Sequence, residues 1–314
     1  MEQHRLRVAF GPAAPEFGSW RWLGSDLCDA LAQRFDTTVF ENTVPACDVA
    51  IFIKFKPSAV ELRSLRNRAA LVFCPVDVYG NPTEIEVDGS SLSCFDLIVA
   101  HARRLERYFS AFSPVHYLDH PLKYVVPPSE CRVTSGPILW IGNRSNLPPV
   151  VEWVNRRDLP EELWVLTDLE TNSRFSTSDG LGFTARNRVR VENWSCERHL
   201  AWLKLARAAF DIKGLDFRSR HKSTAKAFDY IASGLPLAMN QTSSAVEVLR
   251  AMGFGLASPE DVGHWLSNEY WEATQEVGKQ LRRDFALPCV AQRLGNLVQS
   301  AWASSLMRRE PLTV

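Results

Sequence analysis

Short apolar runs alternate with amphipathic segments along the whole chain, and this alternation restricts the possible folds more than any other feature. Runs such as Val49–Ile53 and Leu97–Ala100 have the length and residue types of buried strands. Segments between such runs, for example Gly24–Phe35, place apolar residues at helical spacing. Because strands that alternate with helices form parallel sheets, the chain is predicted to be an α/β protein.

The pattern occurs as two successive series, separated by a proline-rich stretch. With 314 residues, the chain is long enough for two domains of roughly 130 to 170 residues. The prolines of HPLKYVVPPSE, which begins at His120, disfavour regular structure. We therefore predict a Rossmann-like domain over 1–122, a linker over 123–135, a second Rossmann-like domain over 136–290, and a helical tail over 291–314 that could pack back on the first domain.

Individual elements follow from the same periodicity. Strands of the first series are predicted at Leu6–Phe10, Thr37–Phe40, Val49–Ile53, Ala70–Phe73 and Leu97–Ala100. Strands of the second series are predicted at Pro137–Ile141, Leu163–Leu166, Arg188–Val191, Ala209–Lys213 and Leu235–Met239. Helices are predicted at Gly24–Phe35, Arg103–Phe109, Val150–Arg156, Glu197–Leu205, Thr224–Ala232 and Val290–Met307.

Charge and cysteine content argue against several classes of protein. Lys plus Arg and Asp plus Glu both number 36, so no overall field favours nucleic acid or an anionic membrane. The 7 cysteines are scattered and form no CxxC pair, which indicates reduced thiols and not a zinc site or disulfides. The sequence shows no signal-peptide pattern and no apolar stretch of about 18 residues. We expect a cytoplasmic protein with no transmembrane segment and no nucleic-acid partner.

The stretch from Lys213 to Arg250 predicts a local anion site. Ser223 or Thr224 can cap the N-terminus of the following helix, where backbone N–H groups and the helix dipole favour negative charge. Three cations, Arg218, Arg220 and Lys222, directly precede that helix start. Cations at a helix N-terminus suit the phosphates of a nucleoside diphosphate.

A carboxylate follows these cations. Lys222, Lys226 and Asp229 are spaced i, i+4 and i+7, so on one continuous helix they would share a face. Asp229 would then accept hydrogen bonds from the ribose hydroxyls of the nucleotide. The alternative is a solvated helix on which Lys226 and Asp229 form an ordinary surface pair worth a few tenths of a kcal/mol.

The sequence HKSTAKAFDYIASGLPLAMN resembles the signature of the retaining group-1 glycosyltransferases. That signature has a Lys, an acidic residue and an Ala-x-Gly-x-Pro turn, which correspond here to Lys226, Asp229, Ala232, Gly234 and Pro236. The resemblance extends loosely over the second half of the chain. It implies the GT-B fold, in which two Rossmann-like domains with parallel sheets face a cleft and the C-terminal domain binds the nucleotide sugar.

The resemblance also implies an activity. The protein would be a hexosyltransferase-like enzyme that moves a sugar from a nucleotide-diphosphate sugar to an acceptor hydroxyl, with retention of configuration. The acceptor could be a glycan, a lipid-linked molecule, a protein or a small molecule. The family's E-x7-E pair would need glutamates at 221 and 229, where this chain has His221 and Asp229. How the donor sugar is held, and whether retention carries over, therefore stay open.

Other candidate donor contacts lie in loops. Gly142, Asn143 and Arg144 follow the first strand of the second series, at the strand end where open α/β sheets bind ligands. Ser244 precedes a helix near the donor in the family, although Ser244 and Glu247 also match a capping box. The full predicted donor set is Gly142, Asn143, Arg144, Arg218, Lys222, Ser223, Thr224, Lys226, Asp229 and Ser244.

The first half offers fewer candidates. Gly18, Ser19 and Arg21 belong to GPAAPEFGSWRW, a predicted loop that borders acceptor and diphosphate in proteins of this fold. Asp77 and His101 each follow a predicted strand, so either could act as general base or polarise a hydroxyl, and they are the candidate catalytic residues.

No metal or cofactor is predicted. No D-x-D element lies beside a strand end, and no cluster of His or carboxylates has ligand spacing. The basic residues at 218–226 would take the place of a divalent ion in stabilising the leaving diphosphate. Two other interpretations stay open: a catalytically silent GT-B module that binds a nucleotide sugar or a protein partner, and a nicotinamide dehydrogenase. The absence of a GxGxxG motif after the first strand argues against the dehydrogenase.

Overall fold

The computed structural model describes residues 5–170 and 174–309. The chain divides into two compact units. Unit 1 comprises Met1–Pro121, His221–Ser223 and Asp284–Val314, and unit 2 comprises Leu122–Arg220 and Thr224–Arg283.

Unit 1 contains a parallel sheet, which in the described residues has 6 strands in the order β2-β1-β3-β4-β5-β6. The strands are β1 (Arg7–Gly11), β2 (Asp36–Val39), β3 (Val49–Ile53), β4 (Ala70–Cys74), β5 (Leu97–Ala100) and β6 (Val115–Tyr117). Every residue of β3, β4 and β5 is buried, as expected for parallel strands covered on both faces. The strand order reverses between β1 and β3, so the topological switch point of this sheet lies there.

Short helices connect these strands. They are a π-helical segment (Trp20–Ser25), α1 (Asp26–Leu31), α2 (Ala59–Arg66), α3 (Pro82–Val87), α4 (Gly89–Leu92), a 3₁₀ turn (Arg103–Leu105) and α5 (Glu106–Phe109). The predicted helix over Gly24–Phe35 therefore ends earlier than expected, at Leu31. Helix α2 begins at a capping box in which Ser58 and Glu61 bond each other's backbone N–H.

Unit 2 contains a second parallel sheet, with 5 strands within the described part of the chain in the order β11-β10-β7-β8-β9. The strands are β7 (Ile138–Ile141), β8 (Leu163–Thr167), β9 (Val189–Asn193), β10 (Ala208–Asp211) and β11 (Leu237–Met239). The order reverses between β7 and β10, which places the switch point of this sheet between those two strands.

The helices of unit 2 alternate with its strands. They are α6 (Pro148–Asn155), α7 (Cys196–Leu205), α8 (Phe217–Arg220), α9 (Ala225–Ala232), α10 (Ser244–Ala251), α11 (Val262–Trp265) and α12 (Asn268–Asp284), with 3₁₀ turns at Arg144–Asn146, Arg174–Ser176 and Asp179–Leu181. The prediction of two Rossmann-like domains with parallel sheets is thus confirmed.

The start of unit 2 is bonded to α9. The Asp229 carboxylate accepts the backbone N–H groups of Lys123 and Tyr124, at 3.0 and 3.2 Å. The Ser233 hydroxyl accepts the N–H of Val126 at 3.2 Å. Residues 123–126, at the beginning of the predicted linker, are therefore attached to this helix.

The last helix, α13 (Leu287–Arg309), belongs to the core of unit 1. Val290, Leu294 and Val298 are buried in one apolar cluster with residues of the sheet and of α1. A Cβ added at Gly295 would lie 3.1 Å from the Leu31 side chain, so α13 and α1 approach closely. Within the residues that the structure describes, no helix has the length and apolar character needed to cross a membrane.

Candidate functional site

Polar residues follow the carboxyl ends of neighbouring strands in unit 1. Lys54 follows β3, Asp77 lies beyond β4, His101 follows β5 and His120 lies beyond β6. Because β3 to β6 are adjacent and parallel, their carboxyl ends meet at one edge of the sheet. The sequence predicted Asp77 and His101 as candidates at this edge, and the structure shows Lys54 and His120 there as well.

Lys54 and Asp77 adopt an unusual backbone conformation. Their φ angles are 65° and 54°, in the left-handed region that residues other than glycine rarely adopt. Such a conformation costs on the order of 1 kcal/mol and persists where the surrounding structure imposes it, often at functional sites. The two positions follow adjacent strands at their carboxyl ends, where open α/β sheets generally bind ligands.

The Asp77 carboxylate connects two other groups of unit 1. Its Oδ2 lies 3.2 Å from Nζ of Lys222, and its Oδ1 lies 3.6 Å from Nε2 of His101. Burial alone would raise the pKa of Asp77, but Lys222, His101 and Lys54 outweigh burial and lower it. Asp77 is therefore ionised at neutral pH, and its side chain keeps 29% of its surface exposed.

His101 is buried behind this carboxylate, with 3% of its surface exposed. Burial is the largest influence on its pKa and lowers it, although Asp77 and a hydrogen bond to the His221 backbone act in the opposite direction. The ring is consequently neutral at pH 7. Its Nδ1 atom is buried and has no hydrogen-bond partner among the described residues.

A second buried imidazole, His120, lies next to His101. The two ring centroids are 6.4 Å apart, and the ring of Trp22 stacks on His120 at 6.1 Å. Burial lowers the pKa of His120 to about 3. Its Nε2 atom also has no hydrogen-bond partner in the described parts of the chain.

In unit 2, a buried carboxylate holds two lysines at the switch point of the sheet. Asp211, the last residue of β10, has 1% of its surface exposed. Its Oδ2 lies 2.6 Å from Nζ of Lys213 and 3.3 Å from Nζ of Lys226. Burial alone would raise the pKa of Asp211, but the two lysines and a hydrogen bond from Trp140 lower it to about 2.

The neighbours of Asp211 leave little freedom to Lys226. Its Nζ lies 4.8 Å from the centroid of the Trp140 ring, a cation–π distance. A Cβ at Gly142 would lie 2.8 Å from that Nζ, so only glycine fits this position without moving the lysine. Asn240 bonds both the backbone N–H and the carbonyl of Lys213. The group Trp140, Asp211, Lys213 and Lys226 is called the Asp211 cluster below.

The prediction that Lys222, Lys226 and Asp229 share one helical face is wrong. Helix α9 begins at Ala225, so Lys222 precedes it and cannot share a helical face with Lys226 and Asp229. Thr224 stands at the N-cap position, but its side chain makes no capping bond. The cause is that a separate short helix, α8, ends at Arg220, and the chain makes a turn before α9.

The Asp229 carboxylate binds backbone N–H groups within unit 2, which its position in the sequence did not indicate. With both oxygens bonded to backbone N–H groups of residues 123 and 124, the carboxylate is 4% exposed. Burial raises its pKa to about 7, despite those hydrogen bonds. The predicted contact between Asp229 and ribose stays untested, and this geometry does not favour it.

The remaining predicted donor residues occupy different positions in unit 2. Arg144 forms an ion pair with Glu170, and its guanidinium lies 4.6 Å from the Phe175 ring. Ser244 is the first residue of α10, whose N-cap is Ser243 and not the predicted Ser244. Arg218 lies on α8, and Asn143 is exposed before a 3₁₀ turn.

The predicted loop over residues 11–22 is helical in its second part. Gly18 and Ser19 begin a helical segment that continues through Arg21. A Cβ at Gly18 would lie 2.9 Å from the Trp22 ring, so this glycine is required by packing within the segment. The prediction failed because glycine and proline near the start of the segment indicated a loop throughout.

Comparison with known proteins identifies the fold. No family model matches the sequence, and no curated protein does. The structure is similar to that of AviGT4, a glycosyltransferase involved in avilamycin A biosynthesis, with a TM-score of 0.60, 14% identity, and coverage of 95% of this chain and 98% of that one. The chain has the GT-B fold.

Two further neighbours show how varied the proteins of similar structure are. One is described as a UDP-N-acetylglucosamine 2-epimerase from Listeria monocytogenes, with a TM-score of 0.55, 12% identity, and coverage of 96% of this chain and 97% of that one. Another is the glycosylation-associated protein Gap123 complex from Streptococcus agalactiae, with a TM-score of 0.54, 13% identity, and coverage of 83% and 55%. Because fold does not determine chemistry, the function must be argued from the residues of the two units.

Proposed function

We propose that this GT-B protein transfers a sugar from a nucleotide-diphosphate sugar to an acceptor hydroxyl. The observation that carries the proposal is the Asp211 cluster, in which two lysines meet at the switch point of the unit 2 sheet. Switch points of open α/β sheets are where ligands bind. A diphosphate is the anion that suits two adjacent cations there.

The charges of the cluster support this assignment. Lys213 and Lys226 carry two positive charges, and the single carboxylate of Asp211 compensates one of them. The remaining positive charge lies beside the first turn of α9, whose N-terminus adds a partial positive charge. The cluster can therefore stabilise the negative charge that develops on a leaving nucleoside diphosphate without a divalent ion.

The donor contacts follow from this position. Gly142 allows close approach of the backbone beside Lys226, and Ser244 begins the helix that follows β11. Asn143, Arg144, Arg218 and Thr224 are proposed as secondary contacts. Lys222 and Ser223 are left out because they belong to unit 1, where Lys222 pairs with Asp77. Asp229 is left out because backbone N–H groups bind both of its oxygens.

Unit 1 is proposed to bind the acceptor. Asp77 and His101 lie at the carboxyl ends of adjacent strands, and both are in the state that accepts a hydrogen bond at neutral pH. Either group can orient or deprotonate a hydroxyl. Gly18, Ser19 and Arg21 are proposed as further acceptor or diphosphate contacts.

A thermal-shift panel of UDP, GDP, ADP, dTDP and their common sugar conjugates tests the proposal. A nucleotide present at about 100 times its dissociation constant stabilises the protein by roughly 2.7 kcal/mol. We expect one nucleotide to raise the Tm of the wild type and of Lys279→Gln, an exposed control on α12. The same nucleotide should have little effect on Lys226→Gln, and EDTA should leave the wild-type shift unchanged.

The outcomes separate the alternatives. If no nucleotide changes the Tm, the transferase proposal fails. If wild type and Lys226→Gln respond equally, the nucleotide binds away from the Asp211 cluster. If a nucleotide sugar binds but no acceptor in a broad panel causes release of nucleoside diphosphate, the protein is a silent module.

A further inference from the structure

Strand β9 lies at the edge of the unit 2 sheet and pairs with β8 alone in the described parts of the chain. The carbonyl of Arg188 and the N–H of Trp194 bond to β8, so the even-numbered residues of β9 face that strand. Val189 and Val191 therefore direct their N–H and C=O groups away from the sheet. Among the described residues, no hydrogen bond is made to these groups. An edge of this kind can pair with a further strand.

The charges of β9 favour one register for a second, antiparallel copy of the same strand. When Val191 lies opposite Val191 of a second copy, the two valines exchange N–H···O=C bonds. Arg190 then lies opposite Glu192 of the second copy, and the two-fold axis repeats this pair of opposite charges. A register centred on Arg190 or on Glu192 places two like charges opposite each other. A register centred on Val189 places Arg190 opposite Arg188 of the second copy.

The two charged side chains are already held on one face of β9. Nε of Arg190 donates to Oε1 of Glu192 at 2.7 Å, and the guanidinium lies 5.0 Å from the ring centroid of Trp164 and 5.6 Å from that of Trp202. Glu192 also lies 2.6 Å from Nε of Arg198. Because these contacts order the side chains beforehand, pairing with a second copy costs little further entropy. The Arg190 side chain keeps 51% of its surface exposed, so a partner strand can reach it.

The edge strands β2, β6 and β11 differ from β9. In β6, Glu106 accepts the outward N–H of Tyr117 at 3.1 Å. Beside β11, Ala238 forms a bridge with Ala257. In β2 the only charged residue is Asp36, so no register of this strand with itself brings opposite charges together.

We infer that β9 is the interface of a two-fold symmetric dimer, in which the unit 2 sheets of two copies of this chain form one continuous sheet. Val189 pairs with Asn193 of the second copy at each end of the new ladder. The Asn193 carbonyl accepts from Arg198 at 2.9 Å, and the second lone pair of that oxygen accepts the N–H of Val189. The pairing occupies the edge of both copies, so the assembly closes at two chains. The inference goes beyond the proposed function, and its test needs no nucleotide.

Analytical ultracentrifugation of the full chain, at concentrations up to about 0.3 mM, measures the association. We expect a reversible monomer–dimer equilibrium for the wild type. Arg190→Glu and Glu192→Arg should each raise the Kd of the dimer about 10-fold or more, because two opposite-charge pairs become two like-charge pairs. The matched control is Glu276→Arg, an exposed charge reversal on α12, which should leave the Kd unchanged.

Mixing the two variants separates contacts between copies from contacts within one chain. Arg190→Glu has two acidic side chains at these positions, and Glu192→Arg has two basic ones. Within each chain the charges therefore stay alike, whereas every pair across a mixed interface joins opposite charges. The mixture should form heterodimers at concentrations where each variant alone is monomeric.

Val191→Pro tests the backbone pairing. It removes an N–H that faces away from the sheet and keeps the bonds of β9 to β8, which use the even-numbered residues. The Kd should rise about 10-fold or more, since the dimer loses one N–H···O bond from each copy.

Amide hydrogen exchange, resolved by residue, provides a second measurement of the backbone pairing. The amides of Val189 and Val191 should gain protection as the protein concentration rises. The amide of Arg190, which faces β8, should not change.

Three results would overturn the inference. The first is a wild type that stays monomeric over the whole concentration range. The second is a dimer whose Kd is the same in Arg190→Glu, Glu192→Arg and Val191→Pro, because another surface would then form it. The third is a mixture of the two charge variants that associates no more than each variant does alone. All three leave the transferase proposal intact, because that proposal depends on nucleotide binding.

Discussion

At the scale of single residues, the candidate groups of both units share one kind of position. Asp77 and His101 lie just beyond strands of the first sheet, and Asp211 ends a strand of the second. The pKa of each group is lower than its ordinary value, because burial and nearby charges act on the group together. Such displacement is common at functional sites, although structural ion pairs produce it as well. Experiments on individual side chains are therefore the decisive ones.

Gly142→Ala tests the close packing at the Asp211 cluster. The new Cβ would lie 2.8 Å from Nζ of Lys226, so the lysine must move away from its present position. We expect the nucleotide to bind more weakly by about 1.5 to 3 kcal/mol, the contribution of one charged hydrogen bond, so that most of the nucleotide-dependent stabilisation is lost. Thermal shift with the best nucleotide measures this. The control is Gly263→Ala in α11, where a Cβ meets nothing within 4 Å and nucleotide binding should not change. An unchanged nucleotide response in Gly142→Ala would contradict the proposed position of Lys226.

At the scale of secondary-structure elements, α9 serves two regions of unit 2. Its first turn carries Lys226, which belongs to the Asp211 cluster. Asp229 and the C-cap residue Ser233 hold the backbone of residues 123–126. Since the helix is 8 residues long, changes at one end of α9 lie within about two turns of the other.

Asp229→Ala separates these two roles. It leaves the backbone N–H groups of Lys123 and Tyr124 without their acceptor, so we expect a loss of about 2 to 6 kcal/mol of stability, from about 1 to 3 kcal/mol for each group. Urea unfolding measures the change. Asp158→Ala is the control, because its pair with Arg186 is exposed to solvent and should contribute little to stability. A nucleotide response lost without a loss of stability would instead support the predicted ribose contact.

Helix α13 offers a second test at this scale. Leu294 is 1% exposed and packs in the apolar cluster of unit 1. Leu294→Ala should cost about 2 to 5 kcal/mol, the usual range for a buried leucine. Hydrogen exchange should show that the amides of β4 lose protection while those of β7 keep it, because α13 contributes to the core of unit 1. Ser300→Ala, on the exposed side of the same helix, should change stability by no more than about 0.5 kcal/mol.

At the scale of the whole molecule, each unit contains a buried histidine that resists protonation. Burial lowers the pKa of His120 in unit 1 to about 3, and that of His199 in unit 2 to about 4. In the unfolded chain both would have a pKa near 6.5. The unfolded state therefore binds more protons than the folded state between about pH 6.5 and these lower values.

This difference predicts that acid destabilises both units. Stability should decline as the pH falls below about 6.5, by up to about 1.4 kcal/mol per pH unit for each histidine, until the folded-state pKa is reached. Melting curves from pH 7 to pH 4 measure the slope. The slope should decrease in His120→Asn and in His199→Asn but not in the exposed control His116→Asn. Equal slopes in all four proteins would contradict the low pKa values.

The α/β class, the parallel sheets and most strands could be predicted from the sequence alone. Val49–Ile53 and Leu97–Ala100 were predicted with the bounds that the structure shows, since the apolar run of a buried strand is a local property. Asp77 and His101 were identified for a related reason: polar residues that follow such runs lie at strand ends.

Tertiary structure alone decided which side chains meet. Trp140, Asp211 and Lys226 come from β7, β10 and α9, and they meet because β10 pairs with β7, a strand order that no local pattern encodes. The same holds for Lys222, which lies far from Asp77 in the sequence and pairs with it in unit 1. The periodicity of the sequence indicates which residues are buried. Contacts across a sheet depend instead on the strand order. The hydrogen bonds of Asp229 depend likewise on which distant backbone segment, here the one that contains Lys123, packs against it.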